Sequence, residues 1–197
     1  MPHAEAAVRA YVAAYAANEL YTYFAIEQQL AARVAGPWLP VDQPMLYTQR
    51  VDWAGRGQGD GKVYLFDVKG TAHWTPLVPA RYTLSGQFLG YQRLGAKLYG
   101  ADFGGVMLDT IETRPPYRAH RSKVEAAPGA LARYLRDYTW HERARRELVE
   151  TTAPADWPGR WSEFACQTPY GPCPAFAWCQ AGPGLAARAL AGDGTPD

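Results

Sequence analysis

Two runs rich in β-branched and aromatic residues, 45–53 and 63–69, flank the stretch Gly55-Arg56-Gly57-Gln58-Gly59-Asp60-Gly61. No other pattern constrains the chain as strongly, because two extended runs joined by so glycine-rich a connection read as a β-hairpin. In a strand, residues i and i+2 share a face, so Asp67 and Lys69 must point the same way. Asp52 lies on the neighbouring strand. An acid and a lysine on one face, with a second acid beside them, already suggest a site.

The elements on either side complete an α/β pattern. From 4 to 34, Val8, Tyr11, Val12 and Tyr15, then Leu20, Tyr23, Phe24, Leu30 and Val34, recur at three- and four-residue steps. That spacing predicts one bent helix or two short ones, ended by Gly36-Pro37. After an irregular segment containing Pro76 and Pro79, Thr83 or Ser85 can cap a helix striped by Leu84, Phe88, Tyr91, Leu94 and Leu98, which Gly100 closes. A strand over 103–111, a break at Pro115-Pro116 and a charged helix over 128–150 follow. The expected fold is a mixed central β-sheet flanked by helices. With 197 residues and 48% hydrophobic content the chain can bury one core. We read 1–165 as that core, 166–179 as a cysteine-containing segment and 180–197 as a poorly ordered tail.

A net charge of +1 gives no overall signature of nucleic-acid binding, so any such contact must come from local patches. No apolar run reaches membrane-span length and the first thirty residues lack signal-peptide character, which predicts a cytoplasmic protein without a membrane partner. Three cysteines, Cys166, Cys173 and Cys179, are odd in number, against a secreted disulfide framework and in favour of metal or cluster binding.

Asp52 and Asp67 offer hard oxygen ligands suited to Mg²⁺ or Mn²⁺, and the Val68 carbonyl can add another. A cation so held stabilises charge on a phosphate and acidifies a water, while Lys69 orients that water and offsets transition-state charge. Gln87 and Tyr91 sit one helical turn apart on the same side, within reach of the phosphate or the acids. Taken singly, each has a plainer reading: a surface charge pair, a hairpin acid, a helix flank. Their order and spacing favour the joint one.

Gln49-Arg50-Val51-Asp52, then Val63-Tyr64-Leu65-Phe66-Asp67-Val68-Lys69-Gly70-Thr71, then Ser85-Gly86-Gln87-Phe88-Leu89-Gly90-Tyr91, resemble the RecB-type branch of the PD-(D/E)xK nucleases, including phage exonuclease-like members. The resemblance implies a restriction-endonuclease-like core, metal binding by Asp52 and Asp67, a catalytic Lys69, and a following helix carrying Gln87 and Tyr91. It also implies a histidine ligand on the first helix, for which His3 is the match and Glu27 the fallback. His73, His120 and His141 are not expected to be ligands. The string from Cys166 through Cys173 to Cys179 is similar to the last three cysteines of iron-sulfur members of the branch; this sequence has no upstream cysteine to complete four, so an iron-sulfur cluster, zinc or no occupant all remain open.

Arg114, Arg118, Arg121 and Lys123 have few acids nearby and are the candidates for phosphate contact. Arg133, Arg136, Arg143, Arg145 and Arg146 interleave with acids and read as a solvated helix face. Tyr117 and Trp74 can stack on unpaired bases or simply pack. The expectation is a metal-dependent DNA nuclease, exonuclease-like, acting on single strands or duplex ends in recombination, repair or phage replication, with a helicase or recombination protein as a possible partner. A noncatalytic DNA-binding or assembly module on the same fold is the alternative, and an iron-sulfur redox protein a weaker third.

Overall fold

The structure, a computed structural model, describes residues 2–16, 19–127 and 129–152 and the short strands at 167–168 and 171–172. Cys166, Cys173, Cys179 and the 180–197 segment lie outside the described residues. The chain divides into two compact units, Met1–Trp140 and His141–Asp197.

In the first unit the order is α1 (Pro2–Tyr15), β1 (Tyr21–Val34), β2 (Met45–Gly57), β3 (Val63–Thr71), the one-turn α2 (Leu77–Ala80), α3 (Gly86–Tyr99), β4 (Phe103–Glu112) and β5 (Ala119–Val124), before α4 (Ala130–Thr151) begins. Five strands form one sheet in the order β1-β2-β3-β4-β5. The β3/β4 pair is parallel and the other three pairs are antiparallel. The protein is therefore α/β, with a mixed sheet flanked by helices. The parallel pair requires a crossover, and α3 supplies it.

One face of the sheet holds the main core, where Leu65, Val106 and Leu108 pack with Phe88, Tyr91 and Leu94 of α3. Of the five positions expected to stripe that helix, these three are buried, while Leu84 precedes the helix and Leu98 stays exposed. Gly90 lets α3 settle on β2, since a Cβ there would strike Tyr47 and Gln49. Gly100 ends the helix at φ +54°, a conformation that costs a side-chain-bearing residue more. At the start of α4, Tyr134 and Tyr138 pack against Tyr47.

The hairpin expected from 45–53 and 63–69 is present, with β2 continuing to Gly57 before the turn. The helix expected over 20–34 is instead β1, paired with β2 from Tyr21↔Gly57 to Val34↔Met45. The physical reason is an ambiguity of period. Leu20 and Phe24, and likewise Leu30 and Val34, are four apart, a spacing that shares a face in a helix and in a strand alike. The buried set Leu30, Ala32 and Val34 obeys period two, and the β-branched and aromatic run Tyr21-Thr22-Tyr23-Phe24 suits a pleated partner. Residues 119–124 also form a strand that no alternation announced: backbone pairing from Val106↔Val124 to Ile111↔Ala119 recruits a polar segment as the sheet edge.

In the second unit, the last turns of α4 carry Glu142 bonded to Arg145 and Arg146, which hold its carboxyl down to about 2. The strands β6 (Gln167–Thr168) and β7 (Gly171–Pro172) pair antiparallel.

Candidate active site

The ladder between β2 and β3 stops at the Trp53↔Phe66 pair. Just past it Asp52 Oδ2 accepts the Val68 N–H at 2.7 Å, so a carboxylate stands where a strand carbonyl would otherwise be. Asp67 and Lys69 share the α3 face, as the two-residue period requires, and Lys69 Nζ lies 2.6 Å from Asp67 Oδ2. Two positions one helical turn apart on α3 reach the same acid. Gln87 Nε2 donates to Asp67 Oδ1 at 2.8 Å and to the Tyr91 hydroxyl at 2.8 Å. The Tyr91 hydroxyl, with one proton, donates at 2.6 Å to the Arg50 carbonyl and lies 3.1 Å from Asp67 Oδ1.

Asp67 is 1% exposed. Burial pushes its carboxyl above the usual range and the nearby Asp52 charge adds to this, while Lys69 and Tyr91 pull the other way. Burial also raises Tyr91, helped by the Asp67 charge, so it stays a neutral donor. Apart from its ion pair, Asp67 Oδ2 accepts no hydrogen bond. A buried carboxylate oxygen left short of partners, beside a second carboxylate, fits a small hard cation. Among the described residues no three His, Cys, Asp or Glu side chains are close enough to hold a metal ion. A magnesium-like ion, which uses one or two carboxylates and completes its shell with water, carbonyl or phosphate oxygens, is chemically compatible with such a pair. Asp52, Asp67 and the Val68 carbonyl are the residues that would hold it.

Five expected residues thus come together: Asp52, Asp67, Lys69, Gln87 and Tyr91. His3 does not join them; its Nδ1 bonds the Tyr117 hydroxyl. Glu27, on β1 rather than a helix, pairs with Arg50 at the surface. Arg114 and Arg118 are exposed, as is Lys123, which stands 3.6 Å from Glu125. Lys123 also lines a cleft of about 400 Å³ with Gln92, Gly105 and Leu131, at the opposite end of β4 from the paired acids.

Arg121 is placed quite differently from a phosphate-binding surface arginine. Its register brings it beside Asp109, whose neighbour Leu108 is the residue opposite Asp67, so the pair occupies the other face of the sheet. Its guanidinium donates to Asp109 Oδ1 and Oδ2 at 2.7 and 2.8 Å, to Glu19 at 2.8 Å and to the Tyr23 hydroxyl at 2.9 Å. Tyr15 stacks on it at 4.2 Å. Tyr11, from α1, donates to Asp109 Oδ2 at 2.6 Å. The sequence carries a signal for this cluster: Asp109 interrupts the apolar run Val106-Met107-Leu108, and a buried acid demands a partner.

No family model matches the chain, and no curated protein matches it. A solved structure titled "Crystal structure of SSO0001" is similar at 12% identity and a TM-score of 0.38, covering 73% of this chain and 55% of that one. The chain thus spans little more than half the length of that protein. Among the described residues, no helix is long and apolar enough to cross a membrane.

Proposed function

We propose that the chain is a divalent-metal-dependent deoxyribonuclease of the RecB-type PD-(D/E)xK kind, exonuclease-like, hydrolysing phosphodiester bonds at DNA ends or in single strands. The observation that carries the reading is the buried Asp67, ion-paired with Lys69 and flanked by Asp52, with one oxygen engaged by the lysine alone.

Hydrolysis adds water across one P–O bond and leaves a phosphate monoester and a hydroxyl. When bound at the two carboxylates, Mg²⁺ or Mn²⁺ supplies Lewis acidity to the phosphate and lowers the pKa of a water. Lys69, half-exposed and anchored at Asp67, presents an ammonium that orients that water and offsets negative charge as it develops. Gln87 and Tyr91 lock the Asp67 rotamer from the helix side, and Asp52 is held by the Val68 amide. This is preorganisation: the reacting groups need not be gathered at the moment of reaction.

A second reading, a noncatalytic DNA-binding module on the same fold, draws on His3 being bonded to Tyr117 rather than standing with the acids. Failure to take up any divalent cation at millimolar concentration favours it.

The test is cleavage of end-labelled single-stranded, duplex and circular DNA with Mg²⁺ or Mn²⁺. Linear substrates are expected to be cut only with metal, and Lys69→Ala is expected to slow cutting by about 10²–10³-fold in a chain that still folds, as circular dichroism would show. A fully active alanine variant refutes the assignment.

A further inference from the structure

Beyond Lys69 the same face of the sheet carries a row of polar groups that the site above does not use. Lys69 on β3 is in register with Thr110 on β4, and Thr110 with His120 on β5. Directly paired residues share a face, so the three side chains rise on the side of Asp67. Thr110 is 1% exposed, yet its Oγ1 has no hydrogen-bond partner. His120 Nε2 and Trp74 Nε1 are likewise buried and unpartnered. The Trp74 indole lies flat on the His120 ring, with centroids 4.3 Å apart and planes at 11°.

Buried polar atoms without partners are uncommon, and several in one corner ask for a shared explanation. Loose placement is not that explanation. The Trp74 backbone N–H donates to Glu112 Oε1 at 2.8 Å, and the same carboxylate accepts the Arg118 N–H at 3.2 Å, so the loop bearing the indole is tied to β4. Chemistry narrows the missing partner. The indole N–H only donates, the threonine hydroxyl can donate, and an imidazole nitrogen donates in one tautomer. What satisfies all three is a group with several acceptor oxygens; Lys69, paired with Asp67, stands at one end of the row, and the Glu112 carboxylate lies beside Trp74 at the other. The row spans two strand spacings, about 10 Å, too far for one phosphate held at Lys69 to reach His120. His120 and Trp74 are each partly exposed as residues while the three unpartnered atoms are themselves covered, so an anion reaches them from the β5 end by displacing the side chains above them.

We propose that Thr110, His120 and Trp74 form a subsite for a nucleic-acid phosphate neighbouring the one hydrolysed, continuing the Asp52–Asp67–Lys69 site across β4 to β5. The assignment rests on the reading of that site as a phosphodiester-cleaving one, but its first test needs no turnover. Inorganic phosphate is titrated into the full-length, metal-free chain while the four histidine ring resonances are followed by NMR. One ring signal is expected to move, and to be the one missing from His120→Gln. Thr110→Val, which keeps the shape and removes the unpartnered hydroxyl, is expected to weaken phosphate binding about tenfold while the melting temperature without phosphate holds or rises. A purely structural threonine would give the opposite pattern. In cleavage assays the same variant raises KM for DNA about tenfold and leaves kcat within about twofold. Phosphate shifts at His120 in a chain that cuts no DNA would sink the nuclease reading and leave the subsite standing. Active enzyme whose phosphate affinity and KM are unchanged in both Thr110→Val and His120→Gln overturns the subsite alone.

Discussion

The sheet carries a charged cluster on each face, each with two carboxylates and one cation, and the two are finished differently. On the α1 side, Arg121 places its forked donors on both oxygens of Asp109 and on Glu19, with Tyr11 and Tyr23 filling further positions. On the α3 side, Lys69 reaches only Asp67, and Asp67 Oδ2 has no partner besides that ammonium. The formal charge is the same; the saturation is not. A planar guanidinium can close a two-carboxylate cluster, whereas an ammonium on a flexible stem leaves lone pairs to spare. The saturated cluster braces α1 and the edge strand. The unsaturated one keeps coordination capacity, and the strain appears as an Asp67 carboxyl pushed upward by burial.

The largest expected effect strikes the saturated side. Arg121→Met leaves Asp109, which has no exposed surface, without its cation, and removing one partner of a buried pair costs about 3–5 kcal/mol. Urea melts should show that loss; a variant as stable as the parent would mean the two clusters do not differ in kind.

Asp67→Asn should behave in the opposite sense, lowering metal-dependent cutting by about 10²–10³-fold while raising metal-free stability at pH 7. The sign follows from linkage. Because the folded-state value is raised, this carboxyl contributes stability fully below its unfolded value near about 4 and loses it as pH climbs through the folded one. An amide is neutral throughout, so the gap between variant and parent should close on acidification. Thermal melts across that range, without metal, decide it.

The smallest effect belongs to Tyr11→Phe. It removes one donor from Asp109 Oδ2, but Arg121 still bonds that oxygen at 2.8 Å, so about 1 kcal/mol is expected in the same melts. A loss as large as that of Arg121→Met would show that α1, not the arginine, holds the face together.

Local rules made much of the α3-side cluster legible in the linear order of residues. The hairpin followed from composition and the glycine-rich turn, the shared face of Asp67 and Lys69 from the strand period, and the joint reach of Gln87 and Tyr91 from the helical turn. Non-local facts were not legible. Residues 21–34 satisfied two periods at once, and only the waiting edge of β2 made them a strand. Arg121 looked like its neighbours Arg114 and Lys123 until β5 paired with β4 and turned it toward Asp109.

The amino-acid order by itself determined which side chains share a face and which lie one turn apart, because those relations depend on φ and ψ over a few residues. Tertiary structure alone decided which faces meet: that Asp52 caps the Val68 amide, that His3 goes to Tyr117, and that Thr110 and His120 line up beyond Lys69. Strand pairing brings together residues far apart in the chain, and its register is selected by burial and hydrogen bonding over the whole sheet.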